Sequence, residues 1–304
     1  MLIAIDHGNK QVKTAHCPPF TSGLKVSSTI PFGKDILKYG NSYYTLSNQR
    51  IPYHRDKTED ERFFHLTLFA IAQEIEALGC YSEDIIWVQM PIGLPPAHFG
   101  TGHQIFERYF TGRDVIKFTY HDRPYSIYIE NVVCFPQAYA AAVTMLNTLL
   151  SCPRVLIVDI GGFTADYLLM RNGAVDLSTC DSLENGVIVL YNRIRSIINS
   201  EYNMLLEESD IDAILSGQHL DFQGPIINTI ITETKGFVDD LFSTLREQML
   251  DLRTGKIVFV GGGSILLKKY IESSGKVGDV LVVNDIAANA KGYELLYQYE
   301  AAGR

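Results

Sequence analysis

Two carboxylates stand at matching places in this chain: Asp6 closes the apolar run Ile3-Ala4-Ile5, and Asp159 closes Val155-Leu156-Ile157-Val158. Each is followed by a turn of mostly small residues, through Gly8-Asn9 after Asp6 and through Gly161-Gly162 after Asp159, and then by a returning strand. A glycine turn can bring successive backbone N–H groups onto an anion, because no Cβ blocks the approach. Lys13, in the first returning strand, sets a compact positive charge beside that turn. Two acids facing one anionic ligand repel it unless a cation intervenes. Mg2+ suits that place, since it keeps several of its own waters and takes only a few carboxylate or phosphate contacts, so Asp6 and Asp159 would hold it directly or through water. A single Asp-x-Gly-Gly turn is more often an ordinary hairpin than a site, but two copies on similar strands reverse that balance. A further glycine run, Gly261-Gly262-Gly263-Ser264, lies between an apolar strand and a helix, a context that favours contact with a nucleotide.

The elements that must position these groups follow from pattern. After the first hairpin, residues 21–57 alternate in short stretches around a Gly40-Asn41 turn, which predicts a small inserted β-rich subdomain. Thr58-Glu59-Asp60-Glu61 resembles a capping box, and apolar residues from Phe63 to Leu78 recur at helical spacing up to Gly79. A buried strand over 85–90 should end at Pro91, with a rigid connection at 93–96 and a helix over 101–109. Strands over 116–120 and 125–133 flank the turn 121–124, and Phe135-Pro136-Gln137 opens an alanine-rich helix running to 150. From Pro153 the opening pattern starts again. Helices are expected over 185–199, 208–215 and 224–250, a strand over 256–260, a helix over 265–272, a strand over 280–283 and a C-terminal helix over 286–299.

The repeated opening implies an α/β fold duplicated in two lobes. We place lobe I at 1–152 and lobe II at 153–304, with a helical subdomain over 194–255, and expect the C-terminal helix to dock back on lobe I. A ligand would then sit in the cleft between the lobes.

Composition narrows the function. The 304 residues are 46% hydrophobic and 20% charged, as in an ordinary folded protein, and are long for one core. The net charge of -9 lacks a strong basic cluster, which argues against direct nucleic-acid binding through a broad positive face. Cys17, Cys80, Cys134, Cys152 and Cys180 form no CxxC pair and no metal-ligand spacing, so they read as reduced core residues. The histidine pairs His98/His103 and His54/His65 lack a carboxylate at ligand spacing. The N-terminal run reads as a first strand instead of a signal peptide, and no apolar run approaches the ~18 residues needed to span a bilayer. The expectation is a cytoplasmic protein with no membrane contact.

With Asp6 to Lys13, Pro136-Gln137, Asp159 to Asp166 and Gly261 to Ser264 in this order, the chain resembles the actin-like ATPase superfamily over essentially its whole length. Within it the chain looks most like bacterial actin-like proteins of the ParM/StbA plasmid-segregation type. The compact length, Gly93-Leu94-Pro95-Pro96 and the run from Phe118 to Pro136 carry that closer likeness. The resemblance implies an actin-like fold, two lobes of duplicated ribonuclease-H-like α/β domains. It places Asp6, Gly8, Asn9 and Lys13 on the first phosphate loop. Asp159, Gly161, Gly162 and Thr164 fall on the second, where the Asp organises water around Mg2+. Gly261, Gly262, Gly263 and Ser264 fall on the adenosine-side loop, and Gly186 on the approach to the helix flanking the base and sugar.

Gln137 falls where plasmid-segregation proteins usually carry an acid and eukaryotic actin carries glutamine. An amide is no general base at neutral pH, so Gln137 would orient the attacking water, with Asp159, phosphate or a water chain taking the proton, and hydrolysis would be slow. His7 and Phe163 depart from the usual small or acidic loop residues. The implied activity is hydrolysis of ATP-Mg, with GTP left open, coupled to head-to-tail assembly of the protein with itself. A DNA-binding adaptor protein on a plasmid would link the filament to its cargo. The exposed tyrosines and lysines of 34–55 would make subunit contacts. The alternative is a non-polymerising small-molecule kinase or regulatory ATPase of the same fold.

Overall fold

The computed structural model describes residues 1–33, 35–52, 54, 56–218 and 222–302. Lys34 and Tyr53 of the expected contact segment lie outside the described residues. Two compact units result, Met1–Thr144 with Ile286–Arg304, and Met145–Asp285.

The first unit is built on a nine-stranded sheet. In chain order its strands are β1 (Ile5–His7), β2 (Gln11–Thr14), β3 (Phe20–Thr21), β4 (Leu24–Ser27), β5 (Ile36–Tyr39), β6 (Ser42–Leu46), β7 (Ile86–Leu94), β8 (Ile116–Tyr120) and β9 (Arg123–Pro136). They lie in the order β3-β2-β1-β7-β9-β8-β5-β6-β4. The Gly40-Asn41 hairpin forms as the sequence reads, with Gly40 at φ 57°. The segment after it differs: Asp60, not Thr58, caps the helix α1 (Glu61–Ala77), its carboxylate accepting from Arg62 N–H at 3.0 Å. Helix α2 (Pro96–Phe110) starts five residues early because Pro96 fits the first helical turn, where a missing N–H is not felt.

Pro91 does not end its strand. Gln89 donates to Met1 O and accepts from Ile3 N–H on the β1 side, so Pro91, two residues on, faces the same neighbour without an N–H to give. The β1–β7 ladder is interrupted there, while the β7–β9 ladder runs on to Leu94. The alanine-rich helix expected to reach 150 is broken into α3 (Tyr139–Val143) and α4 (Leu146–Leu149). The chain passes between units at this break, at Thr144/Met145, ahead of the expected 152/153 limit.

The second unit carries a five-stranded sheet of order β12-β11-β10-β13-β14, with β10 (Arg154–Ile160), β11 (Ala165–Arg171), β12 (Ala174–Leu183), β13 (Lys256–Val260) and β14 (Asp279–Val282). Helices α5 (Val187–Tyr202), α6 (Glu208–Leu215), α7 (Gly224–Glu247) and α8 (Gly262–Ser273) pack on it around one core. Its plan repeats half of the first sheet. In each, an antiparallel meander (β1-β2-β3, β10-β11-β12) is extended by two parallel strands (β7-β9, β13-β14). The duplication places Asp6 and Asp159 at equivalent ends of the first meander strand. Their ladder partners are Lys13 and Asp166.

Strand alternation then sorts the side chains. Ile3 and Ile5 enter the core formed with α1 and α2, whereas Ala4 packs with Phe135, Ala140 and Tyr293 on the other face. Asp6 follows Ala4, and His7 follows Ile5. That other face is covered by the C-terminal helix α9 (Ala288–Ala302), which belongs to the first unit. Gly292 lets it approach: a Cβ there would stand 1.9 Å from Ala140 O. Replacing Gly292 with alanine is therefore expected to lower stability by about 1–3 kcal/mol despite alanine's better helix propensity, since backbone cannot yield as a side chain does. Gly100, in α2 with nothing among the described residues within 4 Å of a Cβ, is the contrast. Gly100→Ala should raise stability by about 0.5–1 kcal/mol. Urea midpoints of the two variants check both signs.

Candidate functional site

The first unit gathers Asp6, Lys13 and Gln137. Asp6 is 2% exposed. Its Oδ2 accepts from Lys13 Nζ at 3.0 Å and its Oδ1 from Gln137 Nε2 at 3.0 Å. Because the carboxylate only accepts, the Gln137 amide must present its nitrogen to it, and Oε1 points away. Among the described residues nothing donates to that oxygen, so it is an open acceptor for water. The turn after Asp6 is held from behind: Ser22 Oγ donates to Gly8 O at 2.5 Å, and Ser22 N–H donates to Lys10 O at 3.0 Å. In a planar trans peptide C=O and N–H point oppositely, so the N–H groups of Asn9 and Gln11 face away from Ser22. Gly8 has no room for a side chain, as a Cβ would meet Gln11 O at 2.5 Å and Lys13 Nζ at 3.0 Å. Asn9 keeps a buried Oδ1 that has no hydrogen-bond partner among the described residues.

The second unit assembles its own half. Gly161 N–H closes the turn onto Thr164 O at 2.8 Å. The first three N–H groups at the start of α5 are then taken by this turn: Gly186 donates to Phe163 O at 2.9 Å, Val187 to Gly161 O at 3.1 Å and Ile188 to Gly162 O at 2.9 Å. Three successive carbonyls thus face the helix, and the N–H groups of Gly162, Phe163 and Thr164 face the opposite way as one row. Such a row is an anion-binding concavity. The start of α5 caps the loop instead of binding an anion itself. Gly186 is required for this contact, since a Cβ there would lie 2.3 Å from Gly162 O.

Asp159, 6% exposed, borders the same turn, and Gly261 (φ 89°) leaves the space its carboxylate fills: a Cβ at Gly261 would lie 2.1 Å from Asp159 Oδ1. A Cβ at Gly263 would lie 2.6 Å from Ile160 Cγ2, and Gly262 opens α8 beside them. Asp166, opposite Asp159 in the ladder, accepts from Thr164 Oγ1 at 3.3 Å and Ser182 Oγ at 2.5 Å.

Three expectations change. Ser264 is fully buried and its hydroxyl donates to Val260 O at 2.5 Å, which leaves only its backbone for a ligand. The side chain of His7 leaves the turn that follows Asp6. It points to the α1/α2 face, bonded through Nε2 to Thr67 Oγ1 at 2.8 Å and stacked on Phe110 at 5.1 Å. Phe163 packs its ring against the second unit's core, so its bulk leaves the N–H row open. The sequence reading missed Ser22, just past β3, whose hydroxyl holds the Gly8 carbonyl, and Ser182 on β12, whose hydroxyl holds the Asp166 carboxylate. Both contacts come from a neighbouring segment of the sheet, and no local pattern marks them.

Residues 157–273 match the archaeal actin homologue MreB-like family, C-terminal part. No curated protein sequence matches the chain. Among solved structures, a ParM filament from Clostridium botulinum superposes with a TM-score of 0.78 at 18% identity, covering 98% of this chain and 99% of that one. The chain has the actin-like fold. The archaeal actin homologue Ta0583 bound to ADP also shares this fold, with a TM-score of 0.74 at 18% identity over 98% of this chain and 99% of its own. A Bacillus thuringiensis ParM with AMPPNP gives 0.70 at 12% identity over 99% of both chains. The superfamily resemblance read from the strand-end acids and glycine turns thus stands at the level of the fold. The actin-like fold accounts for the duplicated meander.

Proposed function

We propose that this protein binds ATP with Mg2+ through the two turns, hydrolyses it and assembles head to tail into dynamic filaments of the ParM plasmid-segregation type. The observation that carries the reading is the row of N–H groups at Gly162, Phe163 and Thr164 beside Asp159, matched in the duplicated unit by the 8–10 turn beside Asp6 and Lys13. Each turn is a donor set that fits a phosphate group, and each carries one acid that suits the metal of a nucleotide. Among the described residues no three His, Cys, Asp or Glu side chains cluster to ligate a metal. Mg2+ would accordingly be held by phosphate and water, with Asp6 and Asp159 reaching it through that water. Bound there, the ion would offset the phosphate charge that develops during transfer.

In this reading Lys13 contacts phosphate and Gly261, Gly262 and Gly263 line the nucleoside side. Gln137 Oε1 accepts a hydrogen bond from the attacking water and orients it. With no strong base at this position, hydrolysis is slow. The ADP- and AMPPNP-bound relatives support a nucleotide ligand, and the ParM filament supports self-assembly. No helix among the described residues is long and apolar enough to cross a membrane, which accords with a cytoplasmic filament. Cargo attachment would fall to a DNA-binding adaptor, given the net charge of -9.

Right-angle light scattering across a concentration series, with Mg2+-ATP, Mg2+-ADP or no nucleotide, tests this. The expected result is a lagged rise with ATP alone above a critical concentration. A flat trace from protein that binds ATP would remove the filament and favour the kinase or regulatory ATPase.

A further inference from the structure

Gln137 sits at an irregular point of the backbone. β9 ends at Pro136, Gln137 N–H donates to Leu94 O at 2.8 Å, and Ala138 then turns the chain at φ 62°, ψ −52°. Tyr139 N–H reaches back to Gln137 O at 2.6 Å, so residues 137–139 form a γ-turn of the rare, strained hand. An alanine holds such a conformation only where its surroundings over-determine it. Ala138 is fully buried, and its N–H donates to Asn289 Oδ1 at 3.0 Å.

Asn289 lies in the first turn of α9 and is itself 6% exposed. Its depth is set by the contacts that follow along the helix. Gly292 passes close over Ala140, and Tyr293 stacks on Phe135, ring centroids 6.4 Å apart, above Gly93, where a Cβ would meet its hydroxyl at 2.1 Å. The helix therefore delivers one amide oxygen to one backbone N–H adjoining the residue that would orient the attacking water.

We infer that Asn289 is a positioning residue for hydrolysis: by accepting from Ala138 N–H it holds the strained turn that keeps the Gln137 amide on Asp6 and its Oε1 turned toward the water. Without that acceptor a buried N–H is left unsatisfied, and Ala138 relaxes toward negative φ. The 137–138 peptide then rotates and carries the Gln137 side chain off Asp6. Asp6 and Lys13 remain in place, so nucleotide binding survives. The inference rests on the hydrolytic reading above for its kinetic consequence only.

The test uses the full chain with Asn289→Ala and Asn289→Asp, the second retaining an oxygen acceptor. Three quantities are measured: affinity for a fluorescent ATP analogue, kcat for phosphate release, and the side-chain amide resonances of Gln137 in 15N-glutamine-labelled protein, assigned with Gln137→Glu. Asn289→Ala should lower kcat on the order of tenfold to a hundredfold, as misplacement by about 1 Å does, with affinity unchanged within about twofold. It should also move the Gln137 amide pair toward the position of a free glutamine, and Asn289→Asp should restore both. An unmoved Gln137 resonance in Asn289→Ala overturns the inference, as does a parallel loss of affinity and kcat. Wild-type protein that binds the analogue but releases no phosphate defeats the hydrolytic reading instead, and the Gln137 resonance still decides the positioning claim.

Discussion

Lys13→Met is expected to cost about 3–5 kcal/mol of stability and most of the nucleotide affinity, because it strands the Asp6 carboxylate. The side chains of the pair are 15% and 3% exposed, and after the change Gln137 alone among the described residues would remain on the acid. That amide can donate a hydrogen bond but cannot neutralise the charge. The double variant Asp6→Asn with Lys13→Met should recover most of the stability, since a buried pair replaced at both ends is often neutral, yet it should not recover binding. Removing the acid returns no cation to the phosphate. Urea denaturation separates the first effect, and titration with a fluorescent ATP analogue the second. A double variant as unstable as Lys13→Met would show that Lys13 works through packing of its stem, and unchanged affinity would take it out of the proposed phosphate site.

The parts of the site that could be read from sequence are those encoded locally. An apolar run ending in Asp and followed by a glycine turn specifies a strand, a direction and a close backbone approach within a dozen residues, which is why Asp6, Gly8, Asp159 and Gly161 stand where the pattern puts them. The limits of β13 and the Gly40-Asn41 hairpin are local for the same reason. What failed was non-local or hung on parity. His7 is adjacent to Asp6 in sequence, yet one step along a strand puts it on the opposite face among α1 and α2. Ser264 looks like a loop hydroxyl until the helix begins at Gly262 and turns it onto Val260 O. Pro91 reads as a stop because proline lacks an N–H, but only one of its two neighbouring strands asks for that group. Asn289 meets Ala138 across 151 positions of chain. No periodicity encodes such a contact, and it becomes visible only once Gly292 has admitted the helix to the sheet.

Acidification should destabilise the first unit through His7, with a slope that one substitution removes. Thr67 Oγ1 gives its own proton to Phe63 O at 2.8 Å, so His7 must be the donor in the His7–Thr67 bond. The ring is therefore the neutral Nε2–H tautomer, with Nδ1 buried and unbonded among the described residues. Burial first, and the charge of Lys57 second, hold its pKa down from 6.5 to about 3. The unfolded chain takes up a proton near pH 6.5 that the folded one refuses until about 3, so the unfolded state binds more protons throughout that window. Stability from this group is complete above pH 6.5 and falls by about 1.4 kcal/mol per pH unit below it, or about 2 kcal/mol by pH 5. His7→Leu keeps a similar volume between Phe106 and Phe110 and leaves Thr67 bonded to Phe63. Its stability should lose about 2 kcal/mol less than wild type between pH 7 and pH 5. Trp87, the only tryptophan, lies on β7 of the same unit, so urea unfolding followed by its fluorescence reports on the unit that holds His7. Equal pH dependence in the two proteins would mean that His7 protonates in the folded state, which its fully buried position between two aromatic rings opposes.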